Sequence, residues 1–456
     1  MFDARLIKLV LAAACLAATA LPVAAQISPT NTIPAWEDHP LSLADAINLA
    51  LQQNGAILRG KSDLEAQYGV VVQTRAVAIP RVTANGDYQN TTEVESLPFP
   101  GFSPQHESWA ANIQISQSIY DGGRVMSGLR SARLIKDQAV LQYESVVADA
   151  VLAVRVAYYD VLSAAEQVVV DQASVDLLTH QRDDQTSRFN AGTVPRFNVL
   201  QAEVALANER PPLIQARNAY RIAQNNLINS LGFQVPSGTF EDIEMRLTDH
   251  LDDEVYSIQL PFAVAKALQD RTELAALRKS ELLSKENVIN ARAGYKPTVQ
   301  LVAGYGGRNS EFFNDLGYDI SGYTAGAQVS WDIFDGLLTQ GKVQQARALQ
   351  TGARVDVDNE TRRIELEVRT DYSNFIEARE TLESQKKVQE LAEEALRLAI
   401  ARADAGTGTQ LDVLNSQTSL TQARSTQVQA LHDYDVARAR LQRAIAADTF
   451  APVTNP

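Results

Sequence analysis

The stretch SWAANIQISQSIYDGGRVMSGLRSAR, residues 108–133, returns as GYTAGAQVSWDIFDGLLTQGKVQQAR at 322–347, displaced by 214 positions. Each copy opens on period-two alternation and closes on a helical pattern. In the first, Trp109, Ala111, Ile113 and Ile115 alternate with Asn112, Gln114 and Ser116. In the second, Tyr323, Ala325, Ala327, Val329, Trp331 and Ile333 alternate with Thr324, Gly326, Gln328, Ser330 and Asp332. A period of two puts one set on each face of a strand. Asp121-Gly122-Gly123 and Asp335-Gly336 stand where the period changes, so they mark strand-to-helix junctions.

The repetition extends in both directions. RFNAGTVPRFNVL (188–200) answers RADAGTGTQLDVL (402–414) at the same displacement, as Tyr220 answers Tyr434 and Leu227 answers Leu441. Upstream the displacement is 217: INLALQQ (47–53) answers AVAKALQD (263–270, one residue longer), and IPRVTANGDY (79–88) answers KPTVQLVAGY (296–305). A unit this long is a duplicated half rather than a solenoid repeat. The expected organisation is a first repeat at 26–232, a linker at 233–260, a second repeat at 261–446 and a short tail at 447–456.

Each half holds two strands, near 80–90 and 108–120, then near 297–306 and 322–334. Their length, about ten residues, is what a tilted strand needs to cross a bilayer. Tyr88, Trp109, Tyr305, Tyr323 and Trp331 lie near strand ends, where aromatic girdles of membrane barrels sit. Alternation alone fits a sheet over a soluble core equally well. The connections tilt the balance. Segments 90–107 and 306–322 carry the turn formers PFPGF and GGRNS, so all helical mass lies at the opposite end of the sheet.

The helices are long. Residues 124–189 contain only Gly128 and no proline, and 342–402 read similarly, with Val368, Phe375 and Leu382 seven apart. Helices of about 60–66 residues measure about 90–100 Å, deeper than any single globular core, so coiled-coil packing is expected. Segments 43–78, 198–231, 261–295 and 412–446 are each half as long, so two end to end match one long helix. Turns near 190–197 and 403–410 lie at the far tips, where Gly192 and Gly406 supply the positive φ of a reversal. Asn198 and Asp412 are candidate caps of the following helices. Pro211-Pro212 is expected to kink its helix, while the second half carries Ser425-Thr426 there. Four strands cannot close a barrel, and an edge facing lipid leaves backbone groups unsatisfied, so the chain is expected to share a barrel with other chains.

The N-terminus reads as a secretory signal at 1–25: Arg5 and Lys8, an apolar run from Leu9 to Leu21, then Pro22 and Val23-Ala24-Ala25. Cys15, the single cysteine, falls inside it and reads as signal filler rather than a lipid-attachment site. Losing Asp3, Arg5 and Lys8 takes the net charge from −14 to about −15. An exported, acidic chain without cysteine argues against nucleic-acid binding and rules out disulfides.

The order of half-helix, strand, loop, strand, long helix, glycine turn and half-helix, performed twice, resembles the TolC family of outer-membrane channels. IYDGGR and IFDGL at the joins, and RFNAGTV and RADAGTG at the turns, are similar to that family's phrases. The resemblance covers about residues 41–446. It implies a mainly α chain with a β membrane portion: a homotrimer whose twelve strands form one barrel above a periplasmic coiled-coil tunnel of twelve helices. It further implies an exit duct for an inner-membrane pump of a drug or metal efflux or type I secretion system, reached through a periplasmic adaptor. Adaptor contact would fall on the tips, at Arg188, Gly192, Thr193, Arg402, Gly406 and Thr407. The family narrows at this end through ion pairs and an acidic ring; Asp183, Asp184, Glu393, Glu394 and Asp404 lie in that neighbourhood. Outer-membrane lipid and a second copy of the chain are the other implied partners.

An enzyme is not expected. His39, His106, His180, His250 and His432 are scattered without metal-ligand spacing, no GxSxG appears, and Gly122-Gly123 lacks a P-loop lysine. Neither cofactor nor metal is implied. The rival reading is a periplasmic coiled-coil adaptor, a class that lacks duplicated membrane-length strand pairs.

Overall fold

A computed structural model describes residues 40–90, 107–233, 245–252, 254, 256–309 and 320–447. The signal segment with Cys15, the PFPGF loop, part of the linker and the tail from residue 448 lie outside the described residues. The first half runs α1 (Leu43–Gln53), α2 (Gly55–Arg75), β1 (Arg81–Asn90), β2 (Glu107–Asp121), α3 (Arg124–Asn190) and α4 (Arg196–Leu231). The second runs α5 (Leu260–Asp270), α6 (Thr272–Arg292), β3 (Thr298–Asn309), β4 (Ile320–Ser330), α7 (Leu338–Asp404) and α8 (Gln410–Ala444). A 3₁₀ turn precedes β1 and another precedes β3.

The four strands form one antiparallel sheet in the order β1-β2-β3-β4, so the two halves meet at β2–β3 and both outer edges are open. The register sets Ala84 beside Ile113, Ile113 beside Tyr305, and Tyr305 beside Tyr323. One face is therefore apolar across all four strands. The other carries Asn85 and Asn112, whose amides hydrogen-bond at 3.0 Å. Val82, Tyr88, Ile113, Leu301 and Tyr323 on the apolar face are exposed, so nothing among the described residues covers it.

β3 continues through Asn309, so most of GGRNS is strand rather than turn. A Cβ at Gly304 would lie 2.8 Å from the Ile113 carbonyl oxygen, and one at Gly306 would lie 2.7 Å from Asn112 Cβ. These glycines serve close strand approach. β4 ends at Ser330, short of 334, which leaves Trp331 just beyond the strand.

α3 and α7 each run 67 residues, about 100 Å. Near the sheet α2, α3, α6 and α7 pack side by side; toward the tips α4 and α8 take over from α2 and α6. Four helices thus pack side by side both near the sheet and toward the tips. The half-length segments 43–78 and 261–295 are each broken, at Asn54 and Arg271, equivalent positions of the repeat. Both have extended ψ, 126° and 124°. Asn54 Oδ1 accepts from the amides of Ala56 and Ile57, and its Nδ2 donates to the Ser230 carbonyl, joining α2 to the end of α4. α4 itself passes through Pro211 and Pro212 as one continuous helix. Pro212 is exposed.

The core is thickest at this equator. Val151, Val154, Tyr158 and Val161 of α3 pack on α1 and α4, while Ile364, Val368, Phe375 and Leu382 of α7 pack on α5 and α8. Each fully buried side chain of this size contributes about 1.5–3 kcal/mol. The linker straps this region. Tyr158 donates its hydroxyl within 3.0 Å of both the Leu41 carbonyl and Asp249 Oδ2, and Tyr434 donates to the Glu254 carbonyl at 2.6 Å.

Candidate channel ends: strand junctions and rod tips

At the sheet end, Asp121 Oδ1 accepts from the Val125 amide at 3.0 Å and Asp335 Oδ2 from the Thr339 amide at 2.8 Å. Each aspartate thus satisfies a donor in the first turn of a long helix. The Thr339 hydroxyl, and then the Thr339 amide, hold the Asp335 carboxyl below its ordinary value. Gly122 and Gly123 have φ of +72° and +104°. In the second copy these positions are Gly336, φ +67°, and Leu337, φ +70°. The chain turns into α7 through a left-handed leucine, and the helix begins at 338 rather than 342.

The aromatic positions form two sets. Tyr88 lies opposite Trp109, and Tyr305 packs on Tyr323 with ring centroids 4.8 Å apart, all toward the end of the sheet away from the rods. Trp331 sits at the rod end, where its indole donates to the Tyr295 carbonyl at 3.2 Å.

At the opposite end both turns close identically. Thr193 N donates to the Arg188 carbonyl and Gly192 N to Phe189; Thr407 N donates to Arg402 and Gly406 N to Ala403. Gly192 and Gly406 have φ of +73° and +72°, the left-handed position of a Schellman cap. The threonine hydroxyls reach the same arginine carbonyls at 2.9 and 3.2 Å. The backbone therefore joins Arg188 to Thr193 and Arg402 to Thr407, and all six tip residues are exposed. The next helices start at Arg196 and Gln410, two residues earlier than expected. Asn198 is consequently inside α4, whereas Asp412 does cap α8 in a reciprocal box with Thr409.

The acidic residues of this region are paired. Asp183 lies 2.6 Å from Arg182, Asp184 2.9 Å from Arg188, Glu393 3.0 Å from Arg424, and Glu394 2.5 Å from Arg397. Their arginine bonds hold Glu393 and Glu394 below the usual carboxylate range. The two tips touch through Arg188 and Asp404 and through Gln185 and Gln410. Sequence reasoning missed the apolar part of the tips: Phe189, Phe197, Leu200 and Leu411 are all exposed. Their phenyl and isobutyl groups next to a glycine turn were the available signal.

Among the described residues no cluster of ligating side chains could hold a metal ion, and no helix is long and apolar enough to cross a membrane.

A sheet that is apolar on one face and open at both edges, standing on four-helix rods about 100 Å long, defines a subunit of a channel. The chain belongs to the outer membrane efflux protein family, whose model matches residues 46–233 and 263–447. It is similar to outer membrane protein TolC of Escherichia coli, 26% identical, with 89% of this chain and 83% of that protein covered. It is also similar to the alkaline protease secretion protein AprF of Pseudomonas aeruginosa, 22% identical over 88% of this chain and 84% of that one. The open-state MtrE outer membrane channel of Neisseria gonorrhoeae shares the fold, with a TM-score of 0.72, 17% identity and 88% of each chain covered. The protein is an outer-membrane exit duct for efflux and secretion, and not an enzyme.

Proposed function

We propose that three copies of this chain, exported through the 1–25 signal, close into one duct: a twelve-stranded barrel in outer-membrane lipid continued by a periplasmic tunnel of twelve helices. The observation that carries the reading is the sheet, whose β1 and β4 edges are open while the apolar face runs unbroken across all four strands. Edge-to-edge pairing of β4 with the next copy's β1 satisfies both edges at once. In the same ring, α7 of one copy meets α2 and α4 of the next. The two units, 26–232 and 261–446, then contribute two strands and one long helix apiece.

The tips receive a periplasmic adaptor that couples the duct to an inner-membrane pump. Arg188, Gly192, Thr193, Arg402, Gly406 and Thr407 form the polar part of that contact, and Phe189, Phe197, Leu200 and Leu411 its apolar part. Exposed aromatic side chains next to a fixed turn are what a hairpin partner can bury. Conduction is passive, and the acidic balance of the chain disfavours large anions in the lumen. Adaptor binding energy splays the tips while the barrel stays fixed. The test is Thr193→Glu with Thr407→Glu: export in cells is lost while the oligomer's native mass is unchanged. Normal export by that double variant contradicts tip docking.

A further inference from the structure

Between α3, α4 and α8, partway down the tip half of the rod, lies a cavity of about 700 Å³ that the duct reading does not use. Asp171 lines it with only 5% of its surface exposed, and Glu209 lines it from α4. Gln417 faces it from α8, 3% exposed, with neither its amide nitrogen nor its amide oxygen hydrogen-bonded. A buried amide with both ends unmet has lost its hydrogen bonds to water without replacing them. No lysine, arginine or histidine lines the cavity.

The duplication supplies an internal comparison. The second-half counterpart of Asp171 is Gln385, which accepts directly from the Thr426 hydroxyl at 3.2 Å. Thr426 is the counterpart of Pro212, and Ala423 that of Glu209. In the first half Pro212 has no hydroxyl to offer Asp171. It also has no N–H to give the Asn208 carbonyl four residues earlier, and both Pro212 and Asn208 line the cavity. The half that keeps two carboxylates is thus the half whose helix withdraws donors.

We propose that this cavity is a binding site for a primary organic amine. Its ammonium would donate to Asp171 and Glu209, with the Gln417 amide oxygen as a third acceptor. Its alkyl body would lie against Leu178, Ala216 and Leu414, which line the same space. A cation that can donate several hydrogen bonds meets an acceptor excess that a bare monovalent ion would meet only in part. Asp171 already accepts from Gln167 at 2.8 Å, which fixes its carboxyl in place. Burial, then the neighbouring Glu209 charge, pushes that carboxyl above its ordinary value, so amine binding weakens as pH falls and Asp171 protonates.

The test is calorimetric titration of the intact, detergent-solubilised protein with 1,5-diaminopentane at pH 8. Saturable binding is expected, weakened roughly tenfold or more in Asp171→Asn, the loss of one charge-assisted hydrogen bond. Glu209→Gln, at a part-exposed position of α4, weakens it severalfold. Asp176→Asn, on the same helix but outside the cavity, leaves it unchanged. Native mass and helical circular dichroism check assembly; should Asp171→Asn fail to assemble, Glu209→Gln decides. Absence of saturable binding to the unaltered protein up to about 10 mM, an affinity too weak for a built site, overturns the proposal. Equal affinity in an assembled Asp171→Asn, or in Glu209→Gln where that variant decides, overturns it too.

Discussion

Arg188, in the last turn of α3, reaches Asp404, the last residue of α7, with Nη2 and Oδ1 3.6 Å apart. This pair ties the two hairpin tips of one chain to each other. Both side chains are about half exposed, so the pair is worth at most about 1 kcal/mol and is screened by salt. Arg188→Ala should leave the thermal midpoint nearly unchanged but speed proteolysis between residues 191 and 195. High salt should have the same effect on the unaltered protein. Equal cleavage rates in all three conditions would show that the pair holds nothing.

The left-handed positions separate backbone cost from contact cost. Nothing lies within 4 Å of a Cβ built at Gly192 or Gly406. Alanine at either site should cost about 1–2 kcal/mol through backbone strain alone. Leu337→Gly should act in the opposite sense, raising stability by roughly 0.5–1 kcal/mol as strain is relieved against the added freedom of the unfolded chain. Thermal unfolding followed by helical circular dichroism reads both. A destabilised Leu337→Gly would mean that the exposed leucine side chain makes contacts beyond this chain.

Arg271 sits at the equator, at the break between α5 and α6. Only 4% exposed, it contacts Glu273 at 3.3 Å and Glu367 at 2.8 Å, and Glu273 also takes Arg443. Burial opposes ionisation of Glu273, but the arginines prevail and hold its carboxyl down at about 2. Arg271→Ala takes a buried cation from between two part-buried carboxylates, of which Glu273 keeps Arg443, and should cost about 1–3 kcal/mol. Adding Glu367→Gln should restore part of it, as the mutant cycle measures. The Glu273 contribution is fully present above its unfolded value near 4.5 and is lost only as pH falls through about 2.

A second equatorial group has the opposite sign. Asp435 is 1% exposed, and burial pushes its carboxyl up to about 6 despite Arg438 at 2.9 Å. A raised folded value gives stability that is complete below the unfolded value of 3.8 and lost as pH rises through about 6. Asp435→Asn should therefore gain stability over the wild type at pH 8 and flatten the pH dependence between about 4 and 6. The asparagine oxygen can still accept from the Asp252 amide, as Asp435 Oδ2 does at 3.1 Å. An unchanged pH profile in this variant would assign the dependence to another group.

The sequence made the sheet legible because period two survives duplication: Ile113 and its partner Tyr305 fall on one face in both readings. The long helices were legible because no proline interrupts them. The break at Asn54 was missed although Asn54-Gly55 is a turn signal, and Arg271 is not a helix breaker. Asn54 ends α1 through contacts with Ser230, which is distant in sequence, and Arg271 is held among carboxylates of other helices. Gly306 misled for a related reason: a glycine that serves close strand approach looks the same as one that serves a turn. At the tips, Gly192 and Gly406 announced the reversal, but the Arg188–Asp404 pair depends on how two hairpins dock. The cavity by Asp171 was hidden too, although Pro212 marked the helix that shapes it.

The most direct test of the shared barrel is the native mass of the detergent-purified protein with bound detergent subtracted. Three chains of 49.8 kDa, less any cleaved signal, is the expected result. A monomer that stays soluble without detergent would contradict it, because the four open strands would then have to cover a core of their own.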